Sequence, residues 1–405
     1  MEFAREMGER ITAAAQGFPA VVLTGARQTG KTTLLRTLFP DHTYVSLDLP
    51  SEAADAEHAP EAFLARHPAP VVIDEVQYAP GLFRHLKVAI DAHPRSKGQY
   101  ILTGSQKFTL MQGVAESLAG RAAVLELDTL STTEIGAAPS RARELAHVAA
   151  TLARGFYTAL WESERVGTHD FYASYLATYL ERDLRQLVNV SDLRTFERFL
   201  RLCAVRSAQL LNKTDLARDA GISTKTATAW LSALEASNQL SLVPPFHANV
   251  GKRLIKTPKL FVNDTGMLVF LLGLDAHTFA DSPLAGAIWE TAVFGELRKA
   301  IARQTTRREV FVYREHDGGE VDFIVTGGGS ALLFECKWTE LPRERDALGV
   351  ERVADALAHD PLHRPRGTYV VCRTPNSFPL TPRTRAVHGF QLAPLLAPPA
   401  RGKRG

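Results

Sequence analysis

Three groups of residues have the types and spacings that phosphate chemistry uses. In "TGARQTGKTTLL" (24–35), Gly25 is followed by Ala26, Arg27, Gln28 and Thr29, then by Gly30, Lys31, Thr32 and Thr33. Backbone N–H groups of such a glycine loop draw anionic phosphate. A lysine at Lys31 would reach the β- and γ-phosphates, and the Thr32 hydroxyl would ligate Mg²⁺. In "PVVIDEVQ", an apolar run delivers Asp74 to hold Mg²⁺ through water, with Glu75 next to it to polarise the attacking water as a general base. The third group lies far downstream. Asp322 stands in "EVDFIV", Glu335 and Lys337 in "LLFECKWTE", and Glu290 in "WETAVFGEL", with Glu296 as its substitute. The i, i+2 spacing puts Glu335 and Lys337 on one strand face. Acids holding Mg²⁺ or Mn²⁺ beside a lysine make a site for metal-assisted phosphodiester hydrolysis. A ladder of surface ion pairs has the same sequence. However, Asp322 and Glu335 sit among Val321, Phe323 and Phe334, where a carboxylate needs a partner.

The elements that must position these residues follow from hydrophobic periodicity. "AVVLTG" before the glycine loop reads as a buried strand, and "TTLLRTLF" after it has helical spacing. "HTYVSLD", "APVVIDEVQ", "GQYILTGS" and "AAVLELD" continue the strand series, with helical stretches between most of them, as in a parallel α/β sheet. The strand tips at the sheet's C-terminal edge are where ligands bind in open α/β sheets. This defines a domain over 1–140. Amphipathic helices then dominate 141–280. Over 281–395 a helix leads into a hairpin and a further strand, which predicts an α+β domain. Residues 396–405, rich in Pro, Gly and basic residues, read as a disordered tail.

The order of "TGARQTGKTTLL", "VVIDEVQ", "ILTGSQ" and "SLAGR" resembles the bacterial and archaeal AAA-type ATPases that carry an uncharacterised C-terminal domain. The resemblance implies an AAA+ core binding ATP and Mg²⁺, with Ser105 at the sensor position and Arg121 as the candidate arginine finger. It also implies a homo-oligomer, in these proteins a ring and often a hexamer. By local sequence alone, Ser105 fits a strand-capping turn equally well, and Arg121 a solvated surface arginine. Glu290, Asp322, Glu335 and Lys337 resemble the PD-(D/E)XK nuclease core of restriction enzymes and Holliday-junction resolvases. Val321 stands where that core has a proline.

Between these domains, residues 211–246 read as helix, turn at Gly221, helix and strand, with Ser223 as the N-cap of the second helix. This resembles a winged helix-turn-helix. Lys213, Lys225, Lys252, Arg253, Lys256 and Lys259 are placed to meet phosphates. A protein-interaction or lid module has the same pattern. Arg182 and Arg185 of "YLERDLRQL" read as a solvated face or a subunit contact.

Composition bounds these readings. At 405 residues, with 45% apolar and 22% charged residues, the chain is of ordinary soluble globular character. Its net charge of +3 permits nucleic-acid binding without demanding it. Cys203, Cys336 and Cys372 lie far apart with no CxxC pair, which argues against a disulfide framework or zinc site. No apolar run is long enough to span a bilayer, and the charged N-terminus shows no signal peptide. The expectation is a cytoplasmic, Mg²⁺-dependent AAA+ ATPase with no membrane partner. Its ATP turnover is coupled to binding, remodelling or cleaving DNA, branched DNA included. The alternative is a regulatory ATPase switch that acts on a protein partner and keeps a catalytically inert C-terminal domain.

Overall fold

A computed structural model describes residues 3–105, 113–114, 116–136, 145–179, 193–246, 257–315 and 319–397. Two compact units emerge. One comprises Met1–Leu130, Tyr157–Ser163 and Ser232–Gln239; the other comprises Ser131–Phe156, Glu164–Leu231 and Leu240–Gly405.

The five apolar runs of the first unit form its five strands: β1 (Ala20–Thr24), β2 (Thr43–Ser46), β3 (Val71–Asp74), β4 (Tyr100–Gly104) and β5 (Ala122–Glu126). They lie in the order β2-β3-β4-β1-β5, all parallel. β1, β3 and β4 are buried along their whole length, which is why their sequences are continuous apolar runs without alternation. Successive side chains of β1 serve opposite faces of the sheet. Val21 and Leu23 pack with Ile11 of α1 (Gly8–Gly17) and Leu35 of α2 (Lys31–Leu38). Ala20 and Val22 pack with Phe83 and Leu86 of α3 (Leu82–Ala92). The sheet is thereby covered on both faces. That leaves the ends of its strands as the place for polar side chains.

Further along the chain, α4 (Leu193–Val205) is followed by the two-residue strand β6 (Gln209–Leu210), then by α5 (Lys213–Ala220) and α6 (Thr224–Ala236). Gly221 breaks the helix pair at φ 75°, a backbone conformation that favours glycine. Asn212 caps α5 by accepting from the N–H groups of Thr214 and Asp215, and Ser223 Oγ accepts from Thr226 N at 3.0 Å. Trp230 of α6 stacks edge-on against Phe196 and Phe199 of α4. β7 (Leu240–Val243) and β8 (Lys259–Val262) join β6 in a three-stranded antiparallel sheet, order β6-β8-β7.

Next comes the long helix α7 (Ala285–Ala302), then β9 (Glu309–Arg314), β10 (Glu320–Gly327), β11 (Ser330–Cys336), α8 (Leu348–Leu357), β12 (Arg364–Cys372), β13 (Phe378–Pro379) and β14 (Thr384–His388). Six strands lie in the order β13-β14-β12-β11-β10-β9. β9, β10 and β11 form an antiparallel meander, whereas β11, β12 and β14 run parallel. Leu396, expected at the start of the tail, is instead buried at the end of a short helix, and its carbonyl accepts from Gln304. Residues 398–405 lie outside the described residues. The three cysteines are free.

Candidate nucleotide site and a C-terminal carboxylate cluster

The glycine loop connects β1 to α2 and owes its shape to two glycines and one glutamine. Gly25 has φ 146° and Gly30, at the N-terminus of α2, has φ 85°; Gln28 also takes a left-handed conformation at φ 58°. Lys31 is buried, and its Nζ donates to the carbonyls of Gly25 (2.9 Å) and Ala26 (2.8 Å). Thr29 Oγ1 donates to Ala26 O. Arg27 is half-buried; Thr33 is exposed on the first turn of α2.

Thr32 and Asp74 meet at the strand tips. Thr32 Oγ1 donates to Asp74 Oδ2 at 2.7 Å, and Tyr44 OH, from β2, donates to the same oxygen at 2.7 Å. Thr103 of β4 donates to the other oxygen, Oδ1. Asp74 is 4% exposed, so these donors replace most of its water. A hydroxyl beside a carboxylate at the head of the glycine loop is a hard-oxygen pair, and it fits Mg²⁺.

Glu75 follows in a left-handed conformation, φ 55°, which turns its side chain toward the tip of β4. There its Oε2 accepts from the backbone N–H and the hydroxyl of Ser105, at 3.3 and 3.2 Å, and from Gln77 Nε2. Glu75 and Ser105 are thus directly bonded. Arg121 pairs instead with Asp91 of its own chain on the surface, Nε–Oδ1 2.6 Å and Nη2–Oδ2 2.9 Å. Arg182, Arg185, Lys252, Arg253 and Lys256 lie outside the described residues, whereas Lys225 is exposed and Lys213 half-buried.

In the second unit, Asp322 of β10 and Glu335 of β11 are brought to one face. The antiparallel register that pairs Phe323 with Phe334 sets their neighbours opposite each other. Asp322 Oδ2 accepts from Cys336 N at 2.8 Å, and Glu335 Oε1 pairs with Lys337 Nζ at 2.6 Å. Glu290 joins this group; Glu296 does not. Glu296 is buried elsewhere, accepting from Thr132 Oγ1 (2.7 Å) and lying 3.5 Å from Lys299.

Lys259 departs most from the sequence reading. Expected to meet phosphate, it opens a fully buried strand, and its side chain is 5% exposed. Its Nζ lies 2.8 Å from Glu320, 2.9 Å from Glu290 and 3.4 Å from Asp322. An ammonium removed from water to that degree is kept by such partners and is withheld from a nucleic-acid backbone.

The local electrostatics are those of crowded carboxylates. Burial pulls the Lys259 ammonium pKa down, but Glu290, Asp322 and Glu320 outweigh it and hold it above the usual lysine value. Burial, with Asp322 adding to it, holds Glu290 well above the usual carboxylate range against the pull of Lys259. The same two causes push Glu335 up to about 7 despite Lys337. Among the described residues, no group of three or more His, Cys, Asp or Glu is arranged to hold a metal ion. With Lys259 on Glu290, Glu320 and Asp322, Cys336 N on Asp322 Oδ2 and Lys337 on Glu335 Oε1, the carboxylates of this cluster do not fit a divalent cation as they stand. Tyr44, Thr103, Gln77, Glu320 and the role of Lys259 were not anticipated from the sequence. Only Glu320 had a local signal, two residues before Asp322 on the same strand face.

Residues 17–136 match the model of an AAA domain, residues 145–278 that of a domain of unknown function (DUF8612), and residues 285–391 that of another (DUF4143). Loop, strand-tip pair and parallel sheet make the first unit a P-loop ATPase domain of AAA type. Two mycobacterial proteins, uncharacterized protein Mb2031c of Mycobacterium bovis and uncharacterized protein Rv2008c of Mycobacterium tuberculosis, are each 32% identical to the chain over 341 residues, covering 84% of it and 74% of their own length. The chain belongs to the family of these two proteins. Among solved structures, the Walker-type ATPase PABY2304 of Pyrococcus abyssi is similar over 66% of this chain and 94% of its own, with a TM-score of 0.45 and 16% identity. Among the described residues, no helix is long and apolar enough to cross a membrane.

Proposed function

We propose that the chain is a cytoplasmic AAA+ enzyme that hydrolyses ATP with Mg²⁺ and uses the turnover to bind and remodel DNA, acting as a homo-oligomeric ring. The reading divides the chain into an ATPase part (1–140), a helical, winged-helix part (141–280) and a nuclease-like part (281–395). One observation carries the catalytic half: the Glu75 carboxylate is held by the Ser105 N–H and hydroxyl next to the Thr32–Asp74 pair. Lys31 would trade its loop carbonyls for the β- and γ-phosphates, and Thr32 and Asp74 would hold Mg²⁺, which offsets charge on the phosphates. Glu75 would take the proton of the attacking water as its oxygen bonds to the γ-phosphorus and the bond to ADP breaks. In a ring, Arg121 would exchange Asp91 for the phosphate of a neighbouring subunit.

DNA is the favoured partner because the second helix of the helix-turn-helix opens with exposed Thr224 and Lys225. The meander carrying Asp322 and Glu335, backed by α7, supports a nuclease-like ancestry for the C-terminal part. The second reading, a switch acting on a protein partner with an inert C-terminal fold, is favoured by the burial of Lys259 among the carboxylates. The experiment is ATP turnover with and without linear, single-stranded and four-way-junction DNA across a salt series, with Lys31→Ala as the control. Turnover stimulated by DNA, and falling steeply with salt, supports the first reading. Turnover indifferent to every DNA supports the second, and Mg²⁺-independent turnover by Lys31→Ala overturns both.

A further inference from the structure

We infer that Lys259 is the resident cation of the C-terminal carboxylate cluster: it fills the place a divalent metal would take and makes the cluster a metal-free centre. Three acids from two elements converge on this one ammonium, Glu290 from α7 and Glu320 and Asp322 from β10. The lysine itself comes from a third element, β8 of the small antiparallel sheet. The remaining oxygens of the cluster are largely taken as well. Asp322 Oδ2 accepts from Cys336 N, Glu320 Oε2 faces Arg314 at 3.5 Å, and Glu335 Oε1 holds Lys337. Glu335 Oε2 is buried without a partner and Glu290 engages Lys259 through Oε1 alone, but the two oxygens left over do not make a coordination set for a divalent cation.

A divalent ion would need the oxygens that Lys259 already holds. It would also have to share a buried space with a like charge, which is costly where water cannot screen the two. Metal and ammonium therefore exclude one another. The arrangement accounts for a carboxylate-bearing nuclease-like meander that lacks a metal-holding group of acids among the described residues. Lys259 also ties three elements of the second unit together through one buried ion cluster. This inference concerns carboxylates that take no part in the nucleotide site, so it stands or falls apart from the ATPase reading.

The test uses nucleotide-free full-length protein titrated with Mn²⁺, the free ion followed by electron paramagnetic resonance. Wild type, Asp322→Asn, Lys259→Met and the Lys259→Met/Asp322→Asn double variant are compared, with circular dichroism as the check on folding. Wild type and Asp322→Asn are expected to bind the same amount of Mn²⁺. Lys259→Met is expected to gain one site, and the double variant to lose it. A wild-type site abolished by Asp322→Asn overturns the inference, and so does Mn²⁺-dependent DNA cleavage abolished by the same substitution. A folded Lys259→Met that gains no site overturns it too. If Lys259→Met does not fold, the comparison of wild type with Asp322→Asn still decides.

Discussion

Tyr44 and Asp74, thirty residues apart, share a 2.7 Å hydrogen bond in which the phenol donates to the oxygen that also accepts from Thr32. Burial, then Asp74 itself, pushes the phenol pKa up, so Tyr44 remains a donor across any working pH. The bond fixes the direction in which Asp74 presents its lone pairs. A hydrogen bond to a charged group is worth about 1.5–3 kcal/mol. Tyr44→Phe should therefore raise the Mg²⁺ concentration for half-maximal turnover by about tenfold, since 1.4 kcal/mol is a factor of ten. A Mg²⁺ titration of ATP hydrolysis checks this; an unchanged midpoint refutes the positioning role.

Glu75 depends on Ser105 for its orientation. Ser105→Ala removes the hydroxyl donor while leaving the backbone N–H, so turnover should fall by about tenfold with nucleotide affinity unchanged. Glu75→Gln should cost about 10²–10⁴ in turnover, the usual range for a general base. Single-turnover kinetics alongside fluorescent-nucleotide binding separate the two effects.

The Arg121–Asp91 pair is exposed and should matter little to stability. If Arg121 serves a neighbouring subunit, Arg121→Ala lowers turnover sharply while Asp91→Ala leaves it intact or raises it. Equal, small effects of both substitutions would reduce Arg121 to a surface ion pair.

Glu335 makes stability depend on pH. Its carboxyl is raised from about 4.5 to about 7 by burial and Asp322, so the folded protein binds that proton more tightly than the unfolded chain. The corresponding stability is fully present below pH 4.5 and is lost as pH rises through about 7. Glu335→Gln should flatten the fall in urea midpoint over that window. A slope identical to wild type would show that the group titrates normally.

Helix α6 packs on α4 through Trp230, 7% exposed, with ring centroids 4.9 Å from Phe196 and 5.3 Å from Phe199. Trp230→Ala should cost about 3–5 kcal/mol, measured by denaturant unfolding.

The nucleotide loop was legible because its chemistry is contiguous: glycines, lysine and threonine act within eight residues of one another, and an apolar run announces each flanking element. Asp74 was legible for the same reason. Tyr44 and Thr103 were not, because they reach Asp74 only through the strand order β2-β3-β4, which periodicity does not encode. Lys259 was misread because it was grouped with the basic residues before it in sequence as a phosphate contact. Its partners Glu290 and Asp322 lie 31 and 63 residues away, and local charge density says nothing about them. The pairing of Asp322 with Glu335 was inferable from the apolar neighbours of each, since antiparallel strands put such carboxylates side by side.

Gly25 lies so close to the chain leaving β5 that a Cβ there would come within 2.2 Å of Leu127 O. Leu127 N in turn donates to Thr24 O at 2.8 Å, and Arg5 bridges the carbonyls of Thr29 and Asp128 at 2.5 and 2.7 Å. The loop is thus fastened at two points to the exit of the edge strand. Opening that edge would dismantle the phosphate cradle, and filling the cradle would hold the edge shut. Amide exchange along Ala122–Glu126 then becomes a reporter of nucleotide occupancy, slowing when ATP fills the loop fastened to that edge.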